Sequence, residues 1–132
     1  MNDSMRILIC EDNKLALKTI SVVLEREGFE SETVENGNDA ISMLQNNNYD
    51  MVIVDIHLPY HSGLELVEYM RSDLKLKTPV LIVTAFSDPQ MQRQASELGI
   101  DGYILKPFNP ADLISRSEER RVGKECRYRL SP

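Results

Sequence analysis

The chain has 132 residues, 42% of them hydrophobic and 27% charged, with a formal net charge of −6. This length and composition predict one folded domain with a real core and exclude a disordered chain. The acidic balance argues against nucleic-acid binding by this domain. No apolar run approaches the roughly 20 residues of a membrane-spanning helix. The first four residues resemble no secretion signal, so we expect a cytoplasmic protein with no membrane partner.

The two cysteines provide neither a disulfide framework nor a metal-binding motif. Cys10 lies inside the first predicted strand, where we expect it to be a small buried hydrophobe, and Cys126 is far away near the end of the chain. This usage favours a reducing compartment, in agreement with a cytoplasmic location.

Strand and helix patterns alternate through the first half of the chain. The first strand is predicted at residues 6–10, and the first helix at about 14–27, with Gly28 as its stop. A short polar strand at 30–34 suits a sheet edge. The second helix carries Ala40, Ile41 and Leu44 on one face, and an apolar strand follows at 51–54.

The same alternation continues in the second half. The third helix has Leu64, Val67 and Met70 facing inward, and it precedes an apolar strand at 80–83. Asp88-Pro89 opens a fourth helix, which has a thin apolar stripe and precedes the last strand at 103–105. Strands without polar alternation predict a parallel sheet covered on both faces.

The fifth helix is predicted to be truncated or aberrant. Asn109-Pro110 opens it, and its inward stripe begins with Leu113 and Ile114. The next inward positions are polar, and the helical apolar period stops at Ser115. The positions concerned are Ser117, Glu118 and Arg121.

Polar residues directly follow each of the four apolar strands. They are the pair Glu11-Asp12, then Asp55, Thr84 and Lys106. Ligands of open α/β sheets bind beyond the carboxyl ends of the strands, so these side chains should converge on one place. Three carboxylates, a hydroxyl and an ammonium predict a site for a divalent cation and a phosphoryl group.

The order and spacing of these signals resemble the receiver domain of two-component response regulators. The resemblance covers residues 5 to about 115 and rests on motifs that agree in order. These motifs are Glu11-Asp12, Asp55 with Leu58-Pro59 and Gly63, Thr84-Ala85, Gly102-Tyr103 and Lys106-Pro107-Phe108. The resemblance implies a flavodoxin-like (βα)5 three-layer sandwich with a parallel sheet in the order 2-1-3-4-5.

The resemblance also implies roles for the residues at the strand ends. Asp55 would be the phosphoacceptor, assisted by Lys106 and Thr84. Mg²⁺ would be held by Glu11, Asp12, Asp55 and the backbone carbonyl of His57. The bond between Lys106 and Pro107 would be cis. The His57 and His61 side chains lack metal-ligand spacing, and we expect them to be exposed on a loop.

As the resemblance implies, phosphorylation would switch the surface formed by the fourth helix, fifth strand and fifth helix. Thr84 would move toward the phosphoryl group, and Tyr103 would swing inward to fill the space. The phosphodonor would be a sensor histidine kinase or a phosphotransfer protein, and the switching surface is a candidate for homodimer formation. The sequence is compatible with a DNA-binding regulator, a hybrid kinase and a stand-alone receiver.

Residues 116–132 resemble the in-frame translation of a sequencing adapter. The segment contains six basic and three acidic residues, a net charge of +3, whereas residues 1–115 carry −9. We therefore expect a receiver domain at 1–115 followed by a non-native or disordered tail. A native basic tail is the competing interpretation.

Three other functions fit parts of the pattern less well. A haloacid-dehalogenase-like phosphatase also uses an aspartate nucleophile, but it needs a second aspartate where this chain has His57. A flavin-binding protein of the same fold needs a phosphate loop rich in serine, threonine and glycine, where this chain has Glu11-Asp12-Asn13. A receiver-like module that binds proteins without phosphorylation would not need the complete set of acidic and basic residues.

Overall fold

A computed structural model of the protein describes residues 5–85 and 88–129, with side chains as far as residue 119. Five strands and five helices alternate along the chain. They are β1 (Arg6–Cys10), α1 (Lys14–Arg26), β2 (Glu30–Val34), α2 (Gly37–Asn46), β3 (Met51–Val54), α3 (Gly63–Ser72), β4 (Val80–Thr84), α4 (Pro89–Glu97), β5 (Gly102–Leu105) and α5 (Pro110–Arg129).

The strands form one parallel sheet in the order β2-β1-β3-β4-β5, which confirms the predicted topology. Strands β3 and β4 are buried at every residue, as their continuous apolar sequences predict. The polar strand β2 lies at one edge, where only Val34 is buried. Because β1 and β3 are neighbours, the acidic residues that follow them are brought side by side.

Two apolar clusters fill the space between the sheet and its helices. Alternate residues of β1 face opposite clusters, with Leu8 and Cys10 on one side and Ile7 and Ile9 on the other. The first cluster receives residues of α2, α3 and α4, and the second receives residues of α1 and α5. Cys10 is fully buried, as predicted, and burial raises the pKa of its thiol well above the usual range.

Local capping interactions fix where the helices begin and end. The Asn13 side chain accepts from the Ala16 N–H at the start of α1, and Ser62 and Glu65 form a complete capping box at α3. Helix α1 ends at Arg26, one residue earlier than predicted, and Gly28 follows with a φ of +89°, a left-handed conformation that suits glycine.

Helix α5 continues as helix well beyond the end of its apolar pattern. Leu113 is fully buried, and so is Ser117, which lies one turn later at an inward position. The Ser117 hydroxyl donates to the Leu113 carbonyl at 2.9 Å, so this polar side chain is satisfied within the helix. The end of the apolar stripe therefore does not coincide with the end of the helix, which runs to Arg129. Residues 1–4 of the predicted receiver and 130–132 of the predicted tail lie outside the described residues.

Among the described residues, no helix is both long enough and apolar enough to span a membrane.

Candidate functional site

Three carboxylates meet at the carboxyl ends of β1 and β3. One oxygen from each of Glu11, Asp12 and Asp55 lies within 4.8 Å of the others. Glu11 and Asp55 are buried, whereas Asp12 is exposed. The Asp55 N–H donates to the Cys10 carbonyl at 3.0 Å, which continues the pairing of the two strands and fixes the spacing of the acidic residues. The predicted juxtaposition of these side chains is confirmed.

Lys106, which directly follows the edge strand β5, extends its side chain to this acidic cluster. Its Nζ donates to Asp55 Oδ2 at 2.8 Å and also forms an ion pair with Glu11. The Lys106 N–H donates to the Thr84 carbonyl at 2.7 Å, so the lysine backbone is tied to the end of β4. The Lys106-Pro107 bond is cis, as predicted.

The ionisation of these groups is set by burial and by their shared lysine. Burial raises the pKa of Glu11, and the nearby Asp55 charge adds to this effect. Burial also opposes ionisation of Asp55, but hydrogen bonds from Lys106 and from the His57 N–H outweigh it and lower the pKa of Asp55. Burial alone would lower the pKa of Lys106, but its two carboxylate partners raise it. Asp55 is therefore the group held as an anion.

The donor set at this site fits a divalent cation. Three carboxylates face one ammonium, so the cluster keeps an excess of negative charge, and burial together with the nearby Asp55 charge raises the pKa of Glu11. Mg²⁺ prefers oxygen ligands and retains several waters, which the exposure of Asp12 permits. The residues present therefore fit the magnesium site that the sequence predicts.

The loop after Asp55 is held close to the site by α2. The Gly37 N–H donates to the Pro59 carbonyl at 3.0 Å, and a Cβ atom on Gly37 would lie 2.5 Å from His61 Cβ. Tyr60 has a φ of +73°, and the Pro59 carbonyl also accepts from the His61 N–H, which makes a strained three-residue turn.

The histidines of this loop differ in their surroundings. The His57 side chain is exposed, as predicted. The prediction for His61 is only partly correct, because its side chain is 39% exposed and its Nδ1 lies 3.7 Å from Glu65. The position of His57, two residues after Asp55, leaves its backbone carbonyl as the group predicted to bind metal.

Thr84 and Tyr103 lie on neighbouring strands at the other side of the cluster. Thr84 is fully buried at the end of β4. Tyr103 packs against the first apolar cluster, and its buried hydroxyl has no hydrogen-bond partner among the described residues. This inward ring position is the one that the switch hypothesis assigns to the active state.

Sequence reasoning missed three residues that shape the site. The Asn13 N–H donates to Glu11 Oε2 at 3.0 Å, while its side chain caps α1. An asparagine directly before a predicted helix is a recognisable cap, so the residue could have been found. The close approach of Gly37 and the turn at Tyr60 depend on packing between distant segments and have no comparable local signal.

The sheet order, and the acidic cluster with its lysine, are consistent with a phosphoacceptor site. It matches the response regulator receiver domain family over residues 7–118, so the chain belongs to that family. Receiver domains of two-component systems pair with histidine kinases, and they are usually phosphoacceptors rather than true enzymes.

Curated relatives place this domain within longer regulators. The chain is 32% identical over 111 residues to the transcriptional regulatory protein ResD of Bacillus subtilis, covering 84% of this chain and 45% of ResD. It is 34% identical over 112 residues to the transcriptional regulatory protein DltR of Streptococcus agalactiae, covering 85% of this chain and 50% of DltR. The chain thus spans about half the length of these relatives.

Solved structures share the whole fold. A CheY-like receiver domain protein from Methanospirillum hungatei superimposes with a TM-score of 0.87 at 29% identity, covering 94% of this chain and 98% of that one. The BeF3-activated DrrB receiver domain superimposes with a TM-score of 0.80 at 28% identity, covering 89% of this chain and 97% of that one.

Proposed function

We propose that this chain accepts a phosphoryl group on Asp55 in a Mg²⁺-dependent step and thereby switches a protein-binding surface. The observation that carries the proposal is the geometry of Asp55. One of its oxygens accepts from Lys106 Nζ at 2.8 Å, the other accepts from the His57 N–H at 3.0 Å, and Glu11 and Asp12 lie beside it.

The chemistry follows from the charges around Asp55. Its carboxylate attacks the phosphorus atom in line, the bond to the donor breaks, and an acyl phosphate remains. Attack by one anion on another requires nearby positive charge, which Lys106 provides at this site. Bound Mg²⁺ would add to that charge, held by Glu11, Asp12, Asp55 and the His57 carbonyl. The Thr84 hydroxyl would donate to a phosphoryl oxygen.

The proposed phosphodonor is a sensor histidine kinase or a phosphotransfer protein. Large apolar side chains are exposed at only three of the described residues, Leu15, Tyr60 and Leu105. Leu15 and Tyr60, each 77% exposed, lie on the segments that lead away from Asp12 and Asp55. They offer apolar surface to a protein that docks over the acidic cluster.

The remaining expectations complete the proposal. The switching surface comprises α4, β5 and α5, with Thr84 and Tyr103 as the residues that respond, and a homodimer would form through it. The domain would act in the cytoplasm without binding nucleic acid itself. We keep residues 1–115 as the receiver and 116–132 as a non-native or disordered tail. Slow hydrogen exchange through 117–128 would contradict the assignment of that segment.

Phosphorylation can be tested with a small-molecule donor. The protein is incubated with acetyl phosphate and Mg²⁺, and the phosphorylated fraction is measured by intact mass. We expect labelling that is lost in Asp55→Asn and on chelation of Mg²⁺. Asp50→Asn is the matched control, because Asp50 lies at the opposite end of β3 and accepts from the Arg6 N–H at 2.9 Å. Undiminished labelling of folded Asp55→Asn, or labelling without a divalent ion, would refute the proposal.

A further inference from the structure

Arg71, near the end of α3, donates hydrogen bonds to four backbone carbonyls that lie outside its own helix. Its Nε donates to the Leu98 carbonyl at 3.0 Å, and Nη2 donates to the Gly99 carbonyl at 3.1 Å. Its Nη1 donates to the carbonyls of Leu76 at 3.0 Å and Thr78 at 2.9 Å. One guanidinium thus joins α3, the loop before β4 and the end of α4.

One of the two acceptors at the end of α4 is a carbonyl that the helix leaves without an intrahelical partner. Leu98 is the C-terminal cap residue of α4, and Gly99 follows it. The last carbonyls of a helix lack intrahelical donors and carry partial negative charge, so a cation placed there stabilises the end. No basic residue lies in the last turn of α4 itself. Arg71 supplies that charge from another helix.

The apolar contacts between α4 and the core are also concentrated at the C-terminal end of the helix. Ala95 is the one buried residue of the helix, and Leu98 and Ile100 pack against the first apolar cluster just after it. Met91 is the contact nearer the N-terminal end, where it is partly buried. Between these positions the surface of α4 is exposed and polar. Core contacts and the guanidinium therefore hold the same end.

We infer that Arg71 is a positioning residue that fixes the C-terminal end of α4, so that switching moves the N-terminal end of this helix. The N-terminal end follows Thr84 in the chain by way of residues 85–88, whereas the C-terminal end is bonded to α3. The first half of this inference, the anchoring, is independent of phosphorylation. The second half, the direction of movement, rests on the proposed function.

The geometry specifies arginine rather than positive charge in general. Four carbonyls from two segments are reached by three nitrogen atoms of one planar group. A lysine ammonium is a compact charge with three donors and cannot span the same set of acceptors. Arg71→Lys should therefore lose most of the anchoring, and Arg71→Met all of it.

Anchoring can be measured by amide hydrogen exchange in the unphosphorylated protein. In Arg71→Met we expect exchange at the Leu98 and Gly99 amides to rise about tenfold relative to amides of β3, which report global unfolding. Arg71→Lys should show most of that rise. Arg93→Met is the matched control, because it removes the same charge from the exposed surface of α4, and it should leave the exchange unchanged.

The direction of movement is tested by adding Mg²⁺ and beryllofluoride as a stand-in for the phosphoryl group. In the unsubstituted protein, exchange at the Met91 and Gln92 amides should change several-fold, while exchange at Leu98 and Gly99 stays within about twofold. In Arg71→Met both pairs should respond. Asp55→Asn should abolish the response.

The outcomes separate the anchoring by Arg71 from the direction of movement of α4. Unchanged exchange at Leu98 and Gly99 in Arg71→Met overturns the anchoring. Equal responses at both ends of α4 in the unsubstituted protein overturn the direction of movement. If no Asp55-dependent response occurs at all, the proposed function and the direction of movement both fail, while the comparison of unphosphorylated variants still decides the role of Arg71.

Discussion

The two ends of the sheet carry charged clusters that are built in opposite ways. At the amino end, the Arg6 guanidinium pairs with Glu32 at 2.7 Å and lies 5.4 Å from the centre of the Tyr49 ring. The Tyr49 hydroxyl donates to Glu32 at 2.6 Å. The Arg6 guanidinium is paired there with one side-chain carboxylate, and the Arg6 and Glu32 side chains are 42% and 34% exposed.

At the carboxyl end, the charges are buried and do not balance. Glu11 and Asp55 share Lys106, whose side chain is only 17% exposed, and Asp12 adds a third carboxylate. Excess charge in a buried place is unfavourable unless a further ion arrives. An unbalanced, desolvated cluster therefore indicates a binding site, whereas a balanced and half-exposed cluster indicates a structural contact.

The largest expected effect comes from removing the single cation of each cluster. Lys106→Ala leaves two buried carboxylates without their partner and should lower the free energy of unfolding of the metal-free protein by about 3 kcal/mol. Arg6→Ala should cost about 1 kcal/mol, because its pair is largely exposed. Denaturant melts of the metal-free variants measure both losses. Equal losses for the two variants would contradict the comparison.

The next effect concerns metal affinity. Asp12→Asn removes a ligand charge and should weaken Mg²⁺ binding about tenfold in a calorimetric titration. Lys106→Ala and Thr84→Ala should bind Mg²⁺ nearly as well as the unsubstituted protein, but they should uncouple phosphorylation from the surface change. Glu32→Gln, at the amino end, is the control and should have no effect. Weaker binding in Lys106→Ala with normal binding in Asp12→Asn would reverse our assignment.

Backbone strain is expected in the turn at Tyr60, at the carboxyl end of the sheet. Tyr60 has a φ of +73°, which glycine adopts without steric cost. Tyr60→Gly should therefore raise the free energy of unfolding by about 1 kcal/mol, measured by denaturant melts. Glu68→Gly, on the surface of α3, is the control and should lower it. A destabilised Tyr60→Gly would mean that the tyrosine ring contributes more than the turn costs.

The smallest effect is the pH dependence of Mg²⁺ binding. The pKa of Glu11 is raised by burial, so in the metal-free protein Mg²⁺ must displace a proton over a pH range above the usual glutamate value of about 4.3. Apparent affinity should rise several-fold with pH through that range and then level off. In Glu11→Gln, which lacks this carboxyl group, the rise in apparent Mg²⁺ affinity should end at lower pH. Identical pH profiles would show that Glu11 does not hold the proton.

Much of this site could be predicted because the carboxyl ends of parallel strands all lie at the same end of a sheet. Short apolar runs placed Glu11 and Asp55 at strand ends, the family resemblance made those strands neighbours, and the Lys106 motif completed the set. The continuous apolar run of β1 also made the burial of Cys10 predictable. These features are encoded locally, by hydrophobic period and by residues at strand ends.

Other features could not be predicted because they depend on where distant segments meet. The four carbonyls around Arg71 belong to two segments that are distant in sequence, and no sequence pattern marks their convergence. The contact of Gly37 with the Pro59 loop is of the same kind. In α5, helical structure continues beyond the apolar stripe, and the Ser117 hydroxyl is satisfied within the helix.

The central claim is that Asp55 itself becomes the acyl phosphate. Borohydride reduces an aspartyl phosphate to homoserine, so the most direct measurement is peptide mass mapping after Mg²⁺, acetyl phosphate and borohydride treatment. We predict homoserine at position 55 alone, and none when Mg²⁺ is chelated. Homoserine at position 12 with Asp55 unchanged, or no homoserine in a folded and metal-loaded protein, would contradict the account.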